Sequence, residues 1–284
     1  MLSLTKDEKL WRTYANIRFD TRNEEQIAYH YDISSFNASI SSHKPDPSLG
    51  YQDSSTGSDV LKVMRKFLQT SPSLCGSSIF IVAKRYPNDA PQLEGLISEL
   101  RNNHIFVYIV AHSSPSGGTN PSAMFEVSSK ANGFCIFGSD TSFEIYISSI
   151  AFIQHPYQVA SKNVRVTGSG SQSLSVKTYS RPIPCTTEQL IMFITFLGHP
   201  RDGSVKSLNY AMTDPNGKVI ASGPFQPVLQ RNDTLCYEIP VVVNNTIEYT
   251  LTVNYEYEKD REGYLEMRFY SYDYKIGYWL PFDN

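Results

Sequence analysis

The chain has 284 residues, 40% of them hydrophobic and 19% charged, with a formal net charge of −3. That length holds two ordinary domains, that composition is globular, and that charge gives no footprint for nucleic acid or another polyanion. The longest apolar runs, IFVYIVA and LIMFITFLG, fall far short of the roughly 20 residues of a membrane-spanning helix, so no membrane insertion is expected.

The first residues, MLSLTKDEKLWRTYANIRF, show no apolar stretch followed by a small-residue cleavage site, and no signal peptide is read there. YANIRF and EEQIAYHYDI read as two strands joined by the polar link DTRNE, a hairpin. The stretch SSHKPDPSLGYQDSSTG is too rich in Ser, Pro and Gly for a core element. SDVLKVMRKFL then sets Val60, Leu61, Met64, Phe67 and Leu68 on one helical face, with Ser58 as N-cap. SSIFIVA is a strand, and DAPQLEGLISELRNN a helix with Leu93, Leu96, Ile97 and Leu100 at core spacing. HIFVYIVAH is a continuous apolar strand. NPSAMFEVSSKANG is a helix with Asn120 as cap, Pro121 in its first turn and Asn132-Gly133 as its stop. FCIFG is a strand, and TSFEIYISSIAFIQHP reads as a last helix. Apolar strands alternating with amphipathic helices predict a doubly wound, mostly parallel α/β sheet over residues 1–158.

From about Lys162 the helical period disappears. SLNYAMTDPNGKVIASGPF is a hairpin turning on Asp214-Pro215-Asn216-Gly217. In TIEYTLTVNYEYE, Ile247, Tyr249, Leu251, Val253, Tyr255 and Tyr257 point one way and the polar residues the other. Leu265, Met267 and Phe269 share a buried face further on. These short, turn-punctuated strands predict an antiparallel β-sandwich of the immunoglobulin or fibronectin kind over residues 163–284. The tyrosine-rich end offers aromatic contact area as well as core.

Cys185 and Cys236 stand at the edges of strand-like runs and are candidates for a disulfide between two sheets; Cys75 and Cys135 read as buried thiols. Glycosylation sequons occur at Asn37, Asn232 and Asn244. The six histidines form no zinc signature, there is no GxSxG elbow, and no cofactor is expected. The Gly-rich loop SSPSGGTNP (113–121) lies between a strand and a helix, as a phosphate loop would. It lacks the Gly-Lys-Ser/Thr ending, but it keeps open an α/β enzyme or nucleotide-binding protein as the alternative reading.

The order of elements from Trp11 to about Gln154, with SSTGSDVLKVMRKFL, KRYPND, PSGGTNP and NGFCIFG, resembles a von Willebrand factor type A domain. The likeness extends to a nematode-type extracellular subgroup in which a β-rich domain follows. The resemblance implies that Thr56 is the family's loop threonine and Asp89 its acidic helix start, while Lys84 stands about where the family places a metal-site aspartate. The first strand with Asp-x-Ser-x-Ser is absent, and LTKDEKLWRT reads as the end of the first helix, so an incomplete or alternatively started domain is expected. A divalent cation needs several hard oxygen ligands, and an ammonium in the same pocket repels it, so no metal is expected. The resemblance therefore points to a non-enzymatic extracellular recognition or adhesion module. It would bind a protein or glycan without a metal ion, and its candidate contact residues are Ser55, Thr56, Lys84, Arg85, Tyr86 and Asp89. Lys84, Arg85 and Tyr86 would face an acidic partner; the plainer alternative has Lys84 capping strand-end carbonyls and Arg85 solvated.

Overall fold

The computed structural model describes residues 11–72, 74–142, 146, 157–177, 187–196, 203–225, 234–258 and 262–271. They divide into two units, Met1–Gly133 and Phe134–Asn284, a division earlier in the chain than the change of sequence character near Lys162.

In the first unit β1 (Tyr14–Asn16) and β2 (Ala28–His30) pair antiparallel, Tyr14 opposite His30, as the hairpin reading expects. Helix α1 (Ile33–Ser42) follows, an element that the sequence reading does not contain. Asp32 caps it, its carboxylate accepting the Ser35 amide at 2.8 Å, and its one buried residue, Phe36, stacks on Tyr14 at 5.2 Å. Helix α2 (Val60–Thr70) buries Val60, Leu61 and Met64. Strands β3 (Ser78–Ala83) and β4 (Phe106–His112) pair in parallel, Ser78 opposite Phe106 and Ala83 opposite Ala111. Between them α3 (Leu93–Asn102) buries Leu96, Ile97 and Leu100. Helix α4 (Pro121–Lys130) carries the expected cap, with Asn120 Oδ1 accepting the Ala123 amide at 3.2 Å.

All seven residues of β4 are buried, as a strand covered on both faces should be. β3 is different: Val82 is 40% exposed, and among the described residues β4 is its one strand neighbour. The first unit is thus mixed α/β around a small parallel ladder.

The second unit begins with β5 (Phe134–Gly138) and continues with β6 (Tyr157–Val166), β7 (Ser169–Lys177), β8 (Thr187–Phe196), β9 (Val205–Thr213), β10 (Val219–Pro224), β11 (Leu235–Asn244), β12 (Glu248–Tyr257) and β13 (Gly263–Ser271). Most of the expected helix over 141–156 lies outside the described residues. Strands β6 to β13 form two four-stranded antiparallel sheets, ordered β11-β8-β13-β6 and β10-β9-β12-β7. Between them lies one core, including Leu190, Met192, Ile194 and Phe196 from β8, Leu251 and Val253 from β12, and Leu265, Met267 and Phe269 from β13. The antiparallel sandwich is therefore as expected, but its topology is not that of an immunoglobulin or fibronectin domain. The pairs β6–β13, β7–β12, β8–β11 and β9–β10 nest one inside the next, which is the double-sheet jelly roll.

The face of the first sheet turned away from this core is buried as well. Phe134 of β5 stacks on Phe193 of β8 at 4.3 Å, and the Phe137 amide donates to Thr234 Oγ1 at 2.9 Å. Glu266 and Arg268 of β13 lie under that cover at 1% and 0% side-chain exposure. Glu266 Oε2 accepts the Thr195 hydroxyl at 2.5 Å, and Arg268 donates to Lys162 O at 3.2 Å and Asn163 Oδ1 at 2.5 Å.

The disulfide expectation fails at Cys236, which is a free thiol. It stands opposite Thr195 in the β11–β8 ladder, on the face turned away from the second sheet, so it cannot staple the two sheets together. Cys185 lies outside the described residues. Cys75 and Cys135 are free too; Cys135 is buried as expected, whereas Cys75 is exposed. Burial pushes the Cys135 and Cys236 thiols up, away from the reactive thiolate.

Candidate functional site

Parallel strands deliver their following loops to one edge, and here the residues after β3 and β4 meet the loop that leads into α2. The meeting is made by backbone. Ser116 N donates to Lys84 O at 2.7 Å, Tyr86 N to Gly117 O at 2.9 Å, Ser58 N to Tyr86 O at 2.7 Å and Gly118 N to Ser54 O at 3.2 Å. Thr119 N and Asn120 N both donate to Pro87 O, at 3.3 and 2.8 Å. The Gly-rich loop owes its glycines to this closeness. A β-carbon on Gly117 would lie 1.9 Å from Arg85 Nη1, and one on Gly118, whose φ is +78°, would lie 1.7 Å from Tyr86 O. The amides of Ser116, Gly118, Thr119 and Asn120, which a phosphate loop would aim at its ligand, donate to carbonyls of the chain itself.

Arg85 sits in the middle of this junction and is 5% exposed. Its Nη1 donates to Asp53 O at 2.8 Å and Thr56 O at 2.6 Å, its Nη2 to Tyr51 O at 3.0 Å, and its guanidinium carbon lies 5.5 Å from the Tyr51 ring centroid. It therefore organises the 51–56 segment from within. Tyr86 is buried too, its hydroxyl donating to His112 O at 2.6 Å. Neither residue faces solvent, so of the Lys84-Arg85-Tyr86 contact surface only Lys84 is exposed.

Ser55 and Thr56 bend around Asp53. Its Oδ1 accepts the Ser55 hydroxyl at 2.7 Å and the Thr56 amide at 2.6 Å, and its Oδ2 accepts the Thr56 hydroxyl at 2.9 Å. These bonds to the ionised form hold the Asp53 carboxyl well below the usual carboxylate range. Asn88 Nδ2 donates to Ser55 O at 2.7 Å, which puts the 53–56 turn beside the loop carrying the exposed Asp89. Asp89 precedes the helix, since α3 starts at Leu93 and carries Glu94 in its first turn. The rim thus gathers Ser55, Thr56, Lys84, Asn88 and Asp89. Among the described residues no group of three or more His, Cys, Asp or Glu side chains is placed to hold a metal ion.

Two further carboxyls lie under the rim, and the sequence reading gives neither a role. Asp20 Oδ1 accepts the Ser58 hydroxyl at 2.8 Å and the Asp59 amide at 2.9 Å, while Asp59 Oδ1 accepts the Asp20 amide at 2.7 Å. Burial, and then the hydrogen bond to the Asp59 carboxyl, push the Asp20 carboxyl up to about 7. Asp20 has a φ of +60°, a left-handed conformation that Asp tolerates better than most residues. Of the sequons, Asn37 is exposed on α1, Asn244 accepts the amide and hydroxyl of Thr246 at 2.9 and 2.7 Å, and Asn232 lies outside the described residues.

A family model described as a domain of unknown function (DUF7154) matches residues 162–272, less than half of the chain. No curated protein matches. Similar solved structures include a family GH115 4-O-methyl-α-glucuronidase specific for decorated arabinogalactans, at 10% identity over 38% of this chain and 14% of that one, with a TM-score of 0.26. A family 35 carbohydrate-binding module from an environmental isolate is 11% identical over 36% of this chain and 66% of its own, TM-score 0.24. The K1 cleaved adhesin domain of Lys-gingipain from Porphyromonas gingivalis W83 is 9% identical over 36% of this chain and 63% of its own, TM-score 0.25. The chain thus spans less than two thirds of each of these structures, and likenesses at such TM-scores carry no argument about this protein's fold or activity.

Proposed function

We propose that this protein is a non-enzymatic recognition module whose first unit is a von Willebrand factor A-like domain and whose second is a jelly-roll β-sandwich. It binds a protein or glycan ligand outside the cell, without a metal ion, through the rim at the end of β3 and β4. The observation that carries this reading is the junction itself. Three loops are fixed by bonds between their own backbones, and the centre between them is filled by the Arg85 guanidinium. An exposed cation, Lys84, and an exposed carboxylate, Asp89, remain on a rigid support, and contact groups held in place in advance lose little entropy on binding.

The enzyme or nucleotide-binding alternative needs free amides in the 113–121 loop, and those of Ser116, Gly118, Thr119 and Asn120 are committed. The test is an array of glycans and extracellular ectodomains, probed with the whole chain and with the variant Lys84→Glu/Asp89→Lys. A ligand bound equally well with and without chelator, and at least about tenfold more weakly by the variant, supports the proposal. Binding that survives the double charge reversal removes the rim from the reading. A rise in melting temperature with a nucleotide or a divalent ion favours the alternative.

A further inference from the structure

The two sheets of the sandwich end in β10 and β11, and aromatic side chains meet between these edges. Tyr210 comes from β9, Phe225 from the residue after β10, and Tyr237 from β11. Their ring centroids are 5.2 Å apart for Tyr210 and Phe225, 6.2 Å for Tyr210 and Tyr237, and 4.9 Å for Phe225 and Tyr237. The ring planes lie at 50°, 51° and 82°, so the rings make a notch and not a stack. Phe225 and Tyr237 are half-buried, and Tyr210 is 8% exposed. Packing alone accounts for neither of two further features. Buried tyrosine hydroxyls usually find a hydrogen-bond partner, yet those of Tyr210 and Tyr237 have none among the described residues. Gly223 stands opposite Tyr210 in the β9–β10 ladder. Its φ is outside the left-handed region, and a β-carbon there would meet only Tyr210, in ordinary contact at 3.7–4.0 Å. Nothing in the strand requires a glycine, and a glycine inside a strand often marks the close approach of a ligand.

We infer that the Tyr210–Phe225–Tyr237 notch is a ligand site in its own right and takes an uncharged sugar residue of a glycan chain. The C–H face of the sugar lies on an aromatic ring beside Gly223, and its hydroxyls pair with the two phenols. The chemistry of the surroundings selects this ligand. The core-side neighbours of the three rings, among them Met212, Ala221 and Ile239, carry no charge, so an ionised ligand finds no counter-ion. Burial, and then the Tyr237 phenol, push the Tyr210 phenol up, so it remains a neutral group that both donates and accepts. A peptide strand is the poorer fit. Pro224 on β10 and Pro240 on β11 lack the N–H that a further strand would use, and each interrupts its edge as a template. The site is independent of what the rim binds.

The test titrates the whole chain, by NMR of its aromatic side chains, with the uncharged oligosaccharides cellohexaose, mannohexaose and xylohexaose. Decaproline and polygalacturonate serve as the peptide and charged-sugar probes. At least one uncharged sugar should bind and shift the Tyr210, Phe225 and Tyr237 ring signals. Tyr210→Phe/Tyr237→Phe keeps all three rings and removes both hydroxyls, and should weaken that binding at least about tenfold. Gly223→Val fills the gap beside Tyr210 and should abolish it, while the rim variant Lys84→Glu/Asp89→Lys should bind as the parent does. The inference is overturned if no uncharged sugar binds, if both notch variants bind like the parent, if the rim variant is the one that loses the sugar, or if decaproline or polygalacturonate binds more tightly. Should the double tyrosine variant not fold, Gly223→Val and the ring shifts of the parent decide.

Discussion

Arg85 Nη1 lies 1.9 Å from where a β-carbon on Gly117 would stand, so the buried cation and the Gly-rich loop can exist in this arrangement only together. Gly117→Ala must displace a guanidinium that three carbonyls hold, and we expect a loss of roughly 2–3 kcal/mol in urea unfolding. Arg85→Lys keeps the charge but loses the planar fork, and should cost roughly 1.5–3 kcal/mol through the carbonyls it leaves unmet. Equal stability of Arg85→Lys and the parent would mean that the fork contributes nothing.

Stability should also depend on pH through Asp20. Its carboxyl is raised from 3.8 to about 7 in the folded chain, so the folded state binds its proton more tightly than the unfolded state does. This contribution is fully present below about pH 4 and is lost as pH rises through 7, each pKa unit being worth about 1.4 kcal/mol. Asp20→Asn should therefore be more stable than the parent at pH 8, by about 1–3 kcal/mol, with the gap narrowing or reversing at pH 5. Chemical unfolding at the two pH values checks the sign.

In the second unit, Arg268 Nη2 and Glu266 Oε1 lie 3.7 Å apart with essentially no exposure. Removing one charge strands the other, so Glu266→Leu or Arg268→Met alone should destabilise by roughly 3–5 kcal/mol. The double variant Glu266→Leu/Arg268→Met should lose clearly less than the two losses added together. A double-mutant cycle that is simply additive would show that the two side chains do not depend on each other.

Asn120 gives a calibration on a simple element. Its Oδ1 satisfies the Ala123 amide at the start of α4, and Asn120→Ala should cost about 1 kcal/mol. Asn120→Asp should keep most of the stability, because a carboxylate caps the same amide.

The legible parts of this fold are those where a local pattern and its tertiary setting agree. α4 has its cap, its proline and its Asn132-Gly133 stop in the sequence, and all three act as read, Asn132 adopting a φ of +54°. The alternation through β12 is likewise realised, with Tyr249, Leu251, Val253 and Tyr257 buried. α1 was hidden because ISSFNASISS is poor in strong helix formers and buries only Phe36; the Asp32 cap and the stacking on Tyr14 supply what propensity lacks. The burial of Glu266 and Arg268, which alternate with the expected core residues Leu265, Met267 and Phe269, has no signal near them in sequence, since the cover over them comes from β5, more than a hundred residues earlier. The same distance effect governs the site. Ser55 and Thr56 could be placed from their own loop, but nothing near Arg85 in sequence shows that it points into the 51–56 carbonyls. Asp20 and Asp59 meet only because the turn after β1 reaches the start of α2.

In the sandwich, β13 lies between β6 and β8, so one of the last strands to be synthesised occupies the middle of its sheet. A nascent chain halted before Gly263 would leave β6 and β8 facing an empty lane, each with a bare row of backbone donors and acceptors. Closure of that sheet therefore waits on sequence made about a hundred residues after β6, which makes slow, late locking and exposure to strand-pairing errors built-in features of its biogenesis.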